Sequence, residues 1–369
     1  MLLLENRNQI ASLSRSHYKK HIKARIERAF LKGRNMELYL ENGYLNIDYV
    51  LSLNTTFNLI TGGRGTGKTF GLLDTAIRSG KKYIYLRRTQ TNIDLIGTEE
   101  YSPLKSIERV RGIETSTKKI NKYVAAHYLG ENPEPLGYCM ALSTFANVRG
   151  FDATDVDWLI FDEFVPEKNA RKIKDEGEAF LNCYETINRN RELDGSEPVK
   201  VFCCGNSNNI SNPVFISFGM VNIARRAQKS GREVTVLKDR GIAYINLADS
   251  KISDRKKDTA LYRASKNKAF NSMSLDNDFG ETTDDIKSYN LRGLKCVAAI
   301  DDIFAIYRLK DGRYYVSEHI SGTPQVFTTA DIDLKRFKLK YPRVMADYAR
   351  NLITFESDFC LSVFASILT

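Results

Sequence analysis

One run of residues matches, in residue type and spacing, a loop that binds phosphate groups. The run is Gly62, Gly63, Arg64, Gly65, Thr66, Gly67, Lys68 and Thr69. Glycines let backbone N–H groups turn inward around phosphate oxygens, where a Cβ atom would intrude. Lys68 can reach the β- and γ-phosphates of a nucleotide, and the Thr69 hydroxyl can ligate Mg²⁺. Because the whole pattern G-x-x-x-x-G-K-[ST] is present, we expect residues 62–69 to bind ATP and Mg²⁺.

A pair of carboxylates follows the apolar run Trp158–Phe161. These are Asp162 and Glu163. The carboxyl ends of strands in a parallel sheet point at the crevice that holds a nucleotide, so we expect both acids to lie near Thr69. Asp162 is then placed to hold Mg²⁺ through water, and Glu163 to polarise the water that attacks ATP. The second acid favours hydrolysis over simple nucleotide binding.

Three further residues are candidates for acting on the γ-phosphate. Asn206 follows the apolar run Val199–Cys204 and could sense this phosphate, although a turn capped by Asn206 is an alternative. Arg189 and Arg191 end a predicted helix. An arginine finger supplies positive charge to the transition state, often from a neighbouring subunit. Arg189 is the first candidate and Arg191 the second; the alternative is a charge complement to the helix C-terminus.

Strands and helices that would position these residues alternate along the chain. The predicted strands are Phe57–Thr61, Tyr83–Arg87, Tyr138–Leu142, Trp158–Phe161 and Val199–Cys204. A helix is predicted for residues 68–79, and residues 113–128 are typical of a hairpin with a basic tip at Lys118, Lys119 and Lys122. This alternation predicts an α/β fold with a mainly parallel sheet covered on both faces.

Composition divides the chain into four segments. They are a basic N-terminal helical extension (1–40), a P-loop ATPase domain (41–250), a basic linker or subdomain (251–288) and a small C-terminal α+β domain (289–369). The extension owes its helical prediction to amphipathic spacing within residues 15–34. In the last segment, strands are predicted at 296–300, 304–308 and 313–318, and helices at 343–352 and 357–368.

Charge and cysteine content restrict the partners and the compartment. The net charge of +10 over 369 residues favours a polyanionic partner, either nucleic acid or an acidic protein surface. The 6 cysteines form no C-x-x-C pair, which argues against a zinc or redox site. No apolar run has the length of a membrane span or the form of a secretion signal, so we expect a cytosolic protein without a membrane partner.

The chain resembles the double-stranded DNA packaging ATPases of small protein-primed tailed phages, the phi-29-like group. The matching strings, in order over about residues 50–280, are GGRGTGKT, YIYLRR, LIFDEF, INRNRE, GNSNNISNPVF and MSLDNDF. This resemblance implies an additional-strand (ASCE) P-loop ATPase domain and a C-terminal domain like a vestigial RNase H-type nuclease. It also implies phosphate and Mg²⁺ roles for Lys68 and Thr69, acid roles for Asp162 and Glu163, and an arginine finger at Arg189.

The resemblance further implies a homomeric ring, expected to be a pentamer, at the portal vertex of an empty procapsid in the host cytoplasm. Such a ring uses ATP to push double-stranded DNA inward, and a phage-encoded scaffold RNA lies between ring and capsid. Arg149 falls where the family has a basic residue near the subunit interface. We expect Lys118, Lys119 and Lys122 to hold DNA phosphates, which gives contacts that are independent of sequence. A solvated hairpin tip is the alternative, and the basic linker could contact DNA or RNA instead.

Two other functions stay open at this point. A terminase that both translocates and cuts DNA needs a cluster of carboxylates that binds two metal ions. The acids available for such a cluster are Asp301, Asp302, Glu318 and Asp347. A nucleotide-dependent scaffold would instead bind the portal without doing work, and turnover of ATP separates it from a motor.

Overall fold

The computed structural model of the chain describes residues 36–166, 173–206, 210–247, 250, 252, 255, 259–264 and 286–368. The helix predicted within residues 15–34 and the string Met273–Phe279 lie outside the described residues. The chain divides into two compact units. The first takes its described residues from Met1–Asn208 and Gly231–Asn277, and the second from Asn209–Ser230 and Asp278–Thr369.

The strands and helices are numbered in chain order. The strands are β1 (Phe57–Gly62), β2 (Tyr83–Arg87), β3 (Thr115–Lys119), β4 (Ala125–Leu129), β5 (Gly137–Ala141), β6 (Trp158–Asp162), β7 (Lys200–Gly205), β8 (Val234–Leu237), β9 (Ile242–Leu247), β10 (Lys295–Ile300), β11 (Phe304–Arg308), β12 (Tyr314–Ser317), β13 (Gln325–Phe327) and β14 (Thr354–Phe355). The helices are α1 (Ile47–Ser52), α2 (Lys68–Ser79), α3 (Gln90–Ile96), α4 (Lys105–Arg111), α5 (Glu176–Asn188), α6 (Pro213–Ser217), α7 (Val221–Lys229), α8 (Ala260–Ala264), α9 (Asp331–Lys340), α10 (Pro342–Ala349) and α11 (Asp358–Leu368).

The first unit is built on a 9-stranded sheet with the order β3-β4-β5-β2-β6-β7-β1-β9-β8. The strands from β5 to β9 in this order are parallel to one another, while β3, β4 and β8 pair antiparallel at the two edges. The predicted α/β fold with a mainly parallel sheet is therefore confirmed. The hairpin predicted around residues 113–128 is present as β3 and β4, whereas β8 and β9 were not predicted.

The register of three central strands brings their carboxyl ends side by side. Asp162 at the end of β6 is the partner of Cys204 in β7, and Gly205 in β7 is the partner of Thr61 in β1. All residues of β6 are buried. An apolar strand covered on both faces is what a parallel sheet between two helical layers requires. The phosphate loop, the acidic pair and the end of β7 consequently meet at one edge of the sheet.

The second unit contains a 5-stranded sheet with the order β13-β10-β11-β12-β14. Strands β10, β11 and β12 form an antiparallel meander, with β13 parallel to β10 and β14 parallel to β12. The three meander strands and helices α10 and α11 coincide with elements predicted from the sequence. Among the described residues, no helix is both long enough and apolar enough to cross a bilayer.

Helix α7 belongs to the second unit, although the sequence analysis placed residues 209–230 in the ATPase domain. Its buried positions Val221, Ala224 and Ala227 form one apolar stripe at helical spacing. On the polar side, the Arg225 guanidinium lies 4.7 Å from the centre of the Phe359 ring. Segment 209–230 therefore packs with residues that are distant in sequence, which a linear division of the chain cannot show.

The burial of His127 makes the free energy of unfolding of the first unit depend on pH. Its Nδ1 lies 2.9 Å from the Tyr83 hydroxyl and its Nε2 3.3 Å from Cys139 Sγ. Burial lowers the pKa of His127 to about 4. An unfolded chain has a histidine pKa of about 6.5, so it takes up this proton before the native state does.

We therefore expect the free energy of unfolding to fall by about 3 kcal/mol as the pH drops from 6.5 to 4 because of this one side chain. Urea unfolding of wild type and His127→Gln at several pH values measures the effect. The variant should lose this part of the pH dependence, whatever its stability at pH 7. Identical pH dependence in both proteins would contradict the assignment.

Candidate nucleotide-binding site

The phosphate loop joins the end of β1 to the start of α2. Gly62 has a φ of 154° and Gly67 a φ of 86°. A Cβ atom on Gly62 would lie 2.6 Å from the Cβ of Leu247 on the neighbouring strand β9. Glycine is thus required at Gly62 both by backbone conformation and by close packing. The loop has the shape that the sequence pattern predicts.

The ammonium group of Lys68 lies inside this loop. It donates to the carbonyl oxygens of Gly62 and Gly63, both at 2.9 Å, and to Thr66 Oγ1 at 3.1 Å. Lys68 is 4% exposed, so its charge is held at the first turn of α2 rather than in solvent. A buried cation beside the N-terminus of a helix favours a bound anion such as a triphosphate.

Thr69 and Asp162 lie next to each other, as predicted. The Thr69 hydroxyl donates to Asp162 Oδ1 at 2.9 Å, and the Tyr85 hydroxyl donates to Asp162 Oδ2 at 2.6 Å. Burial and the Asp162 charge raise the pKa of Tyr85 well above its usual value, so the phenol stays protonated and remains a donor. Hydroxyl and carboxylate oxygens are the ligands that Mg²⁺ prefers, so this pair fits the predicted magnesium site.

Glu163 lies beside this pair with two polar partners. Its carboxylate is paired with Arg87 and accepts from the Asn206 side-chain amide at 3.5 Å. Glu163 adopts a φ of 53°, in the left-handed region that residues other than glycine avoid. Such backbone strain costs about 1–3 kcal/mol and is concentrated at functional sites. The predicted base and the predicted sensor, Asn206, therefore occupy one edge of the site.

Arg87 was not assigned a role from the sequence. Its guanidinium lies 3.5 Å from Asp162 Oδ2 and also pairs with Glu163. Burial alone would lower the pKa of Arg87, but Tyr85, Asp162 and Glu163 raise it, so its charge is fixed. Tyr85 and Arg87 are two residues apart on β2 and so face the same side of the strand. The sequence string Y-I-Y-L-R contains an indication of this arrangement, because side chains with polar groups occur at every second position of a strand that is otherwise apolar.

Arg88 makes a second ion pair on the other side of this strand end. Its guanidinium donates to Glu176 in a bidentate arrangement at 2.6 and 2.8 Å, and both residues are buried. Removing one partner from such a pair leaves a buried charge uncompensated, which is strongly destabilising. The pair fixes the first turn of α5, the helix that ends at Arg189.

The structure places Arg189 outside this group of side chains. It is exposed, has a φ of 47°, and donates to the carbonyl oxygen of Phe151 at 3.1 Å. Arg191 donates to the carbonyls of Ala153 and Thr154 at 2.7 and 2.9 Å. Both arginines therefore contact the segment that precedes β6. Their side chains thus donate to carbonyl oxygens of residues 151–154 and not to residues 62–69.

Two other predicted basic positions are also exposed. Arg64 lies in the phosphate loop, and Arg149 follows the 3₁₀ helix Leu142–Val148. The three hairpin lysines Lys118, Lys119 and Lys122 are exposed at the end of β3 and in the turn after it. These cations have the solvent access that a contact with an external polyanion requires.

Among the residues that the structure describes, the acids of the second unit do not form the carboxylate cluster that a two-metal site requires. In the part of the chain that the structure describes, one group of three possible metal ligands occurs, namely Glu318, Glu356 and Cys360. Of the four acids considered from the sequence, this group contains only Glu318. That carboxylate is already paired with Arg225 at 3.3 Å and Lys229 at 2.8 Å.

Most of the chain matches a known protein family. Residues 40–335 match the family model described as podovirus DNA encapsidation protein (Gp16). The chain belongs to this family. The resemblance inferred from the sequence strings is thereby confirmed.

Two curated DNA packaging proteins are similar to this chain over about two thirds of its length. The DNA packaging protein of Bacillus phage B103 is 26% identical over 241 residues, which cover 64% of this chain and 68% of that protein. The DNA packaging protein of Bacillus phage phi29 is 25% identical over 248 residues, covering 64% and 66%. The matched segment thus spans about two thirds of each relative.

A solved structure of the phi-28 gp11 DNA packaging motor shares the fold. It superposes with a TM-score of 0.59 at 20% identity, covering 89% of this chain and 99% of that one. Because the identity is low, this likeness bears on the fold and not on the chemistry of individual residues.

Tyr85 donates to Asp162, the predicted magnesium ligand, and a role in orienting that carboxylate is open to test. We expect Tyr85→Phe to raise the Mg²⁺ concentration needed for half-maximal ATP binding by about tenfold or more, since removing a group that orients a metal ligand has this effect. Isothermal titration calorimetry over a range of Mg²⁺ concentrations measures it.

Tyr83→Phe is the matched control, because Tyr83 lies on the same strand, is equally buried and bonds to His127 instead. It should leave the Mg²⁺ requirement unchanged. An equal shift in both variants would assign the effect to general packing of β2 and not to Asp162.

Proposed function

We propose that this chain is an ATPase that drives double-stranded DNA into a viral procapsid. The observation that carries the proposal is the 2.9 Å contact between the Thr69 hydroxyl and Asp162, with Lys68 inside the loop and Glu163 alongside. Membership of the podovirus DNA encapsidation family supplies the packaging role. The position of β7 between β1 and β6 supports an additional-strand P-loop ATPase, since the phosphate loop and the acidic pair are then separated by one strand.

Each residue of the site has its own role in the proposed reaction. Backbone N–H groups of residues 62–69 and the Lys68 ammonium bind the triphosphate of ATP. Thr69 and Asp162 would hold Mg²⁺, which neutralises charge on the phosphates. Glu163 orients the attacking water and accepts its proton, while the Asn206 amide holds the γ-phosphate side of the site. Tyr85 and Arg87 keep both carboxylates in place.

Arg189 completes the site of a neighbouring subunit in this proposal. It is exposed, and its backbone and its bond to Phe151 hold it on its own chain away from residues 62–69. A side chain placed in this way is suited to reach a second copy, as arginine fingers supplied in trans do. This arrangement requires a ring of identical subunits, which we take to be a pentamer at the portal vertex of the procapsid. Arg149 would contribute a further charge at the same interface.

DNA would be held by the hairpin formed by β3 and β4. Lys118, Lys119 and Lys122 are exposed there, and Lys118 and Lys122 lie 5.1 and 5.5 Å from the ring centres of Tyr128 and Tyr123. Lysines bind backbone phosphates without reading sequence, which suits a motor that must move any DNA. The scaffold RNA and the setting in the host cytoplasm belong to the same proposal.

The first test concerns the general base. Glu163→Gln keeps the size of the side chain but removes the carboxylate, so ATP should still bind while turnover falls by at least about 100-fold. Phosphate release measured with and without duplex DNA reports turnover, and calorimetry reports binding. Glu185→Gln, an exposed acid on α5, serves as the control and should behave as wild type. Unchanged turnover in Glu163→Gln would show that another group is the base.

The second test concerns the origin of the arginine. Arg189→Ala alone should lose about 1000-fold in turnover, the typical worth of an arginine finger. When Arg189→Ala is mixed with Glu163→Gln, some sites combine an intact Glu163 with an intact Arg189 from the neighbour. Activity should therefore reappear in the mixture. No recovery would mean that Arg189 acts within its own chain or not at all, and Arg109→Ala, an exposed arginine on α4, is the control.

A further inference from the structure

A short hairpin before β1 is attached directly to the phosphate loop. Residues 38–46 form it, with a bridge between Tyr39 and Leu45 and a turn closed by the 2.8 Å bond from the Leu40 N–H to the Tyr44 carbonyl. The Leu45 N–H donates to the carbonyl oxygen of Thr66 at 3.0 Å. We call these residues the 38–46 hairpin. Its position is thus set by a backbone bond to the loop that would bind the triphosphate.

The Tyr44 ring lies against Gly67 in this arrangement. A Cβ atom placed on Gly67 would be 3.0 Å from Cδ1 of the ring and 3.2 Å from the Cβ of Tyr44. Gly67 is the N-cap of α2, so the ring flanks the point at which the phosphate loop becomes a helix. Tyr44 is nevertheless 42% exposed, and Leu40 beside it is 45% exposed. An apolar surface is therefore open to solvent next to the phosphate-binding backbone.

The turn of the 38–46 hairpin is held by hydrogen bonds from two side chains later in the chain and by one bond within the turn. Ser250 Oγ donates to the carbonyl of Gly43 at 3.2 Å, and Arg255 donates to the carbonyl of Asn42 at 3.3 Å. The Tyr44 N–H donates to Asn42 Oδ1 at 3.2 Å. These bonds fix the backbone that carries Tyr44, so the ring is positioned before any ligand arrives. A preordered aromatic surface loses little conformational freedom on binding.

A nucleoside triphosphate needs such a surface at this place. With the phosphates in the loop, the ribose and base would continue from the α-phosphate and leave the loop, and Tyr44 is an aromatic side chain that lies at the start of α2. A base is flat and aromatic, and it binds most favourably by stacking on an aromatic side chain. The residues discussed so far contact phosphates, Mg²⁺ and water, and leave the base without a partner.

We propose that Tyr44 is the stacking surface for the base of the nucleotide. The proposal rests on the proposed function, because it presupposes a triphosphate bound at residues 62–69. Every base has an aromatic face, so stacking on Tyr44 adds affinity without choosing among bases. Tyr44 is accordingly a substrate-binding residue that contributes nothing to the phosphate contacts themselves.

Calorimetric titration with two probes tests this. The probes are ATP and inorganic tripolyphosphate, each with Mg²⁺, because tripolyphosphate fills the loop but has no base. We expect Tyr44→Ala to bind ATP about tenfold more weakly than wild type, as the loss of one stacked base predicts, and to bind tripolyphosphate unchanged. Tyr44→Phe keeps the ring and should match wild type with both probes. GTP should lose as much affinity as ATP in Tyr44→Ala.

Tyr101→Ala is the control, since Tyr101 is 61% exposed but lies outside the hairpin, and it should bind both probes normally. If Tyr44→Ala weakens tripolyphosphate as much as ATP, the ring only supports the loop and the proposal is wrong. Unchanged ATP binding in Tyr44→Ala overturns it as well. Failure of the proposed function gives a different result, because wild type would then bind neither ATP nor tripolyphosphate. Lys68→Ala should lose binding of both probes and is the reference for that result.

Discussion

The carboxylate of Asp162 is a nearly buried charge, and its need for partners organises the centre of the first unit. A charge in that position is tolerated only when opposite charge and hydrogen bonds surround it. Thr69 and Tyr85 supply hydrogen bonds, and Arg87 supplies the positive charge. These partners come from α2 and β2, so the acid at the end of β6 joins separate elements at one point.

The phosphate-binding part of this site is continuous in the chain, and the sequence predicts it from a local pattern. A strand, a glycine loop and a helix follow one another at residues 57–79, and their local pattern suffices to predict the geometry. Asp162, Glu163 and Asn206 were found because strand ends of a parallel sheet share one edge. Arg87 and Arg88 escaped assignment because the strand ends after Arg87, and only the packed structure shows that one contacts Glu163 and the other Glu176.

Strand pairing across long sequence separations limited the prediction of the fold in a similar way. Strand β9 (Ile242–Leu247) is fully buried and pairs with β1 inside the sheet of the first unit. In the sequence, however, residues 209–230 lie between β7 and β9. A linear division of the chain places those residues with their neighbours in sequence. They belong instead to the same compact unit as residues 278–369, where Arg225 pairs with Glu318, and no local pattern indicates so distant a partner.

Two candidate catalytic residues share an unusual backbone. Glu163 and Arg189 both have positive φ values, at 53° and 47°. Each comes directly after a regular element, β6 in one case and α5 in the other, and left-handed residues turn the chain sharply at such ends. At Glu163 the carboxylate is held by its pair with Arg87, and at Arg189 the guanidinium is held by its bond to the Phe151 carbonyl. Side chains are in this way aimed by backbone conformation and not by rotamer choice alone.

The two-part composition of the second unit has a consequence for how the polypeptide is made and handled. A ribosome synthesises Val221–Lys229 well before Asp358–Leu368, so α7 lacks the other half of its own unit until the last part of the chain has been made. Proteases and chaperones therefore meet this helix as an unprotected amphipathic segment. For the same reason, a fragment that starts at residue 289 omits Arg225 and leaves Glu318 without its cations. A soluble excised version of this unit would have to carry residues 209–230 grafted onto it, for example by circular permutation.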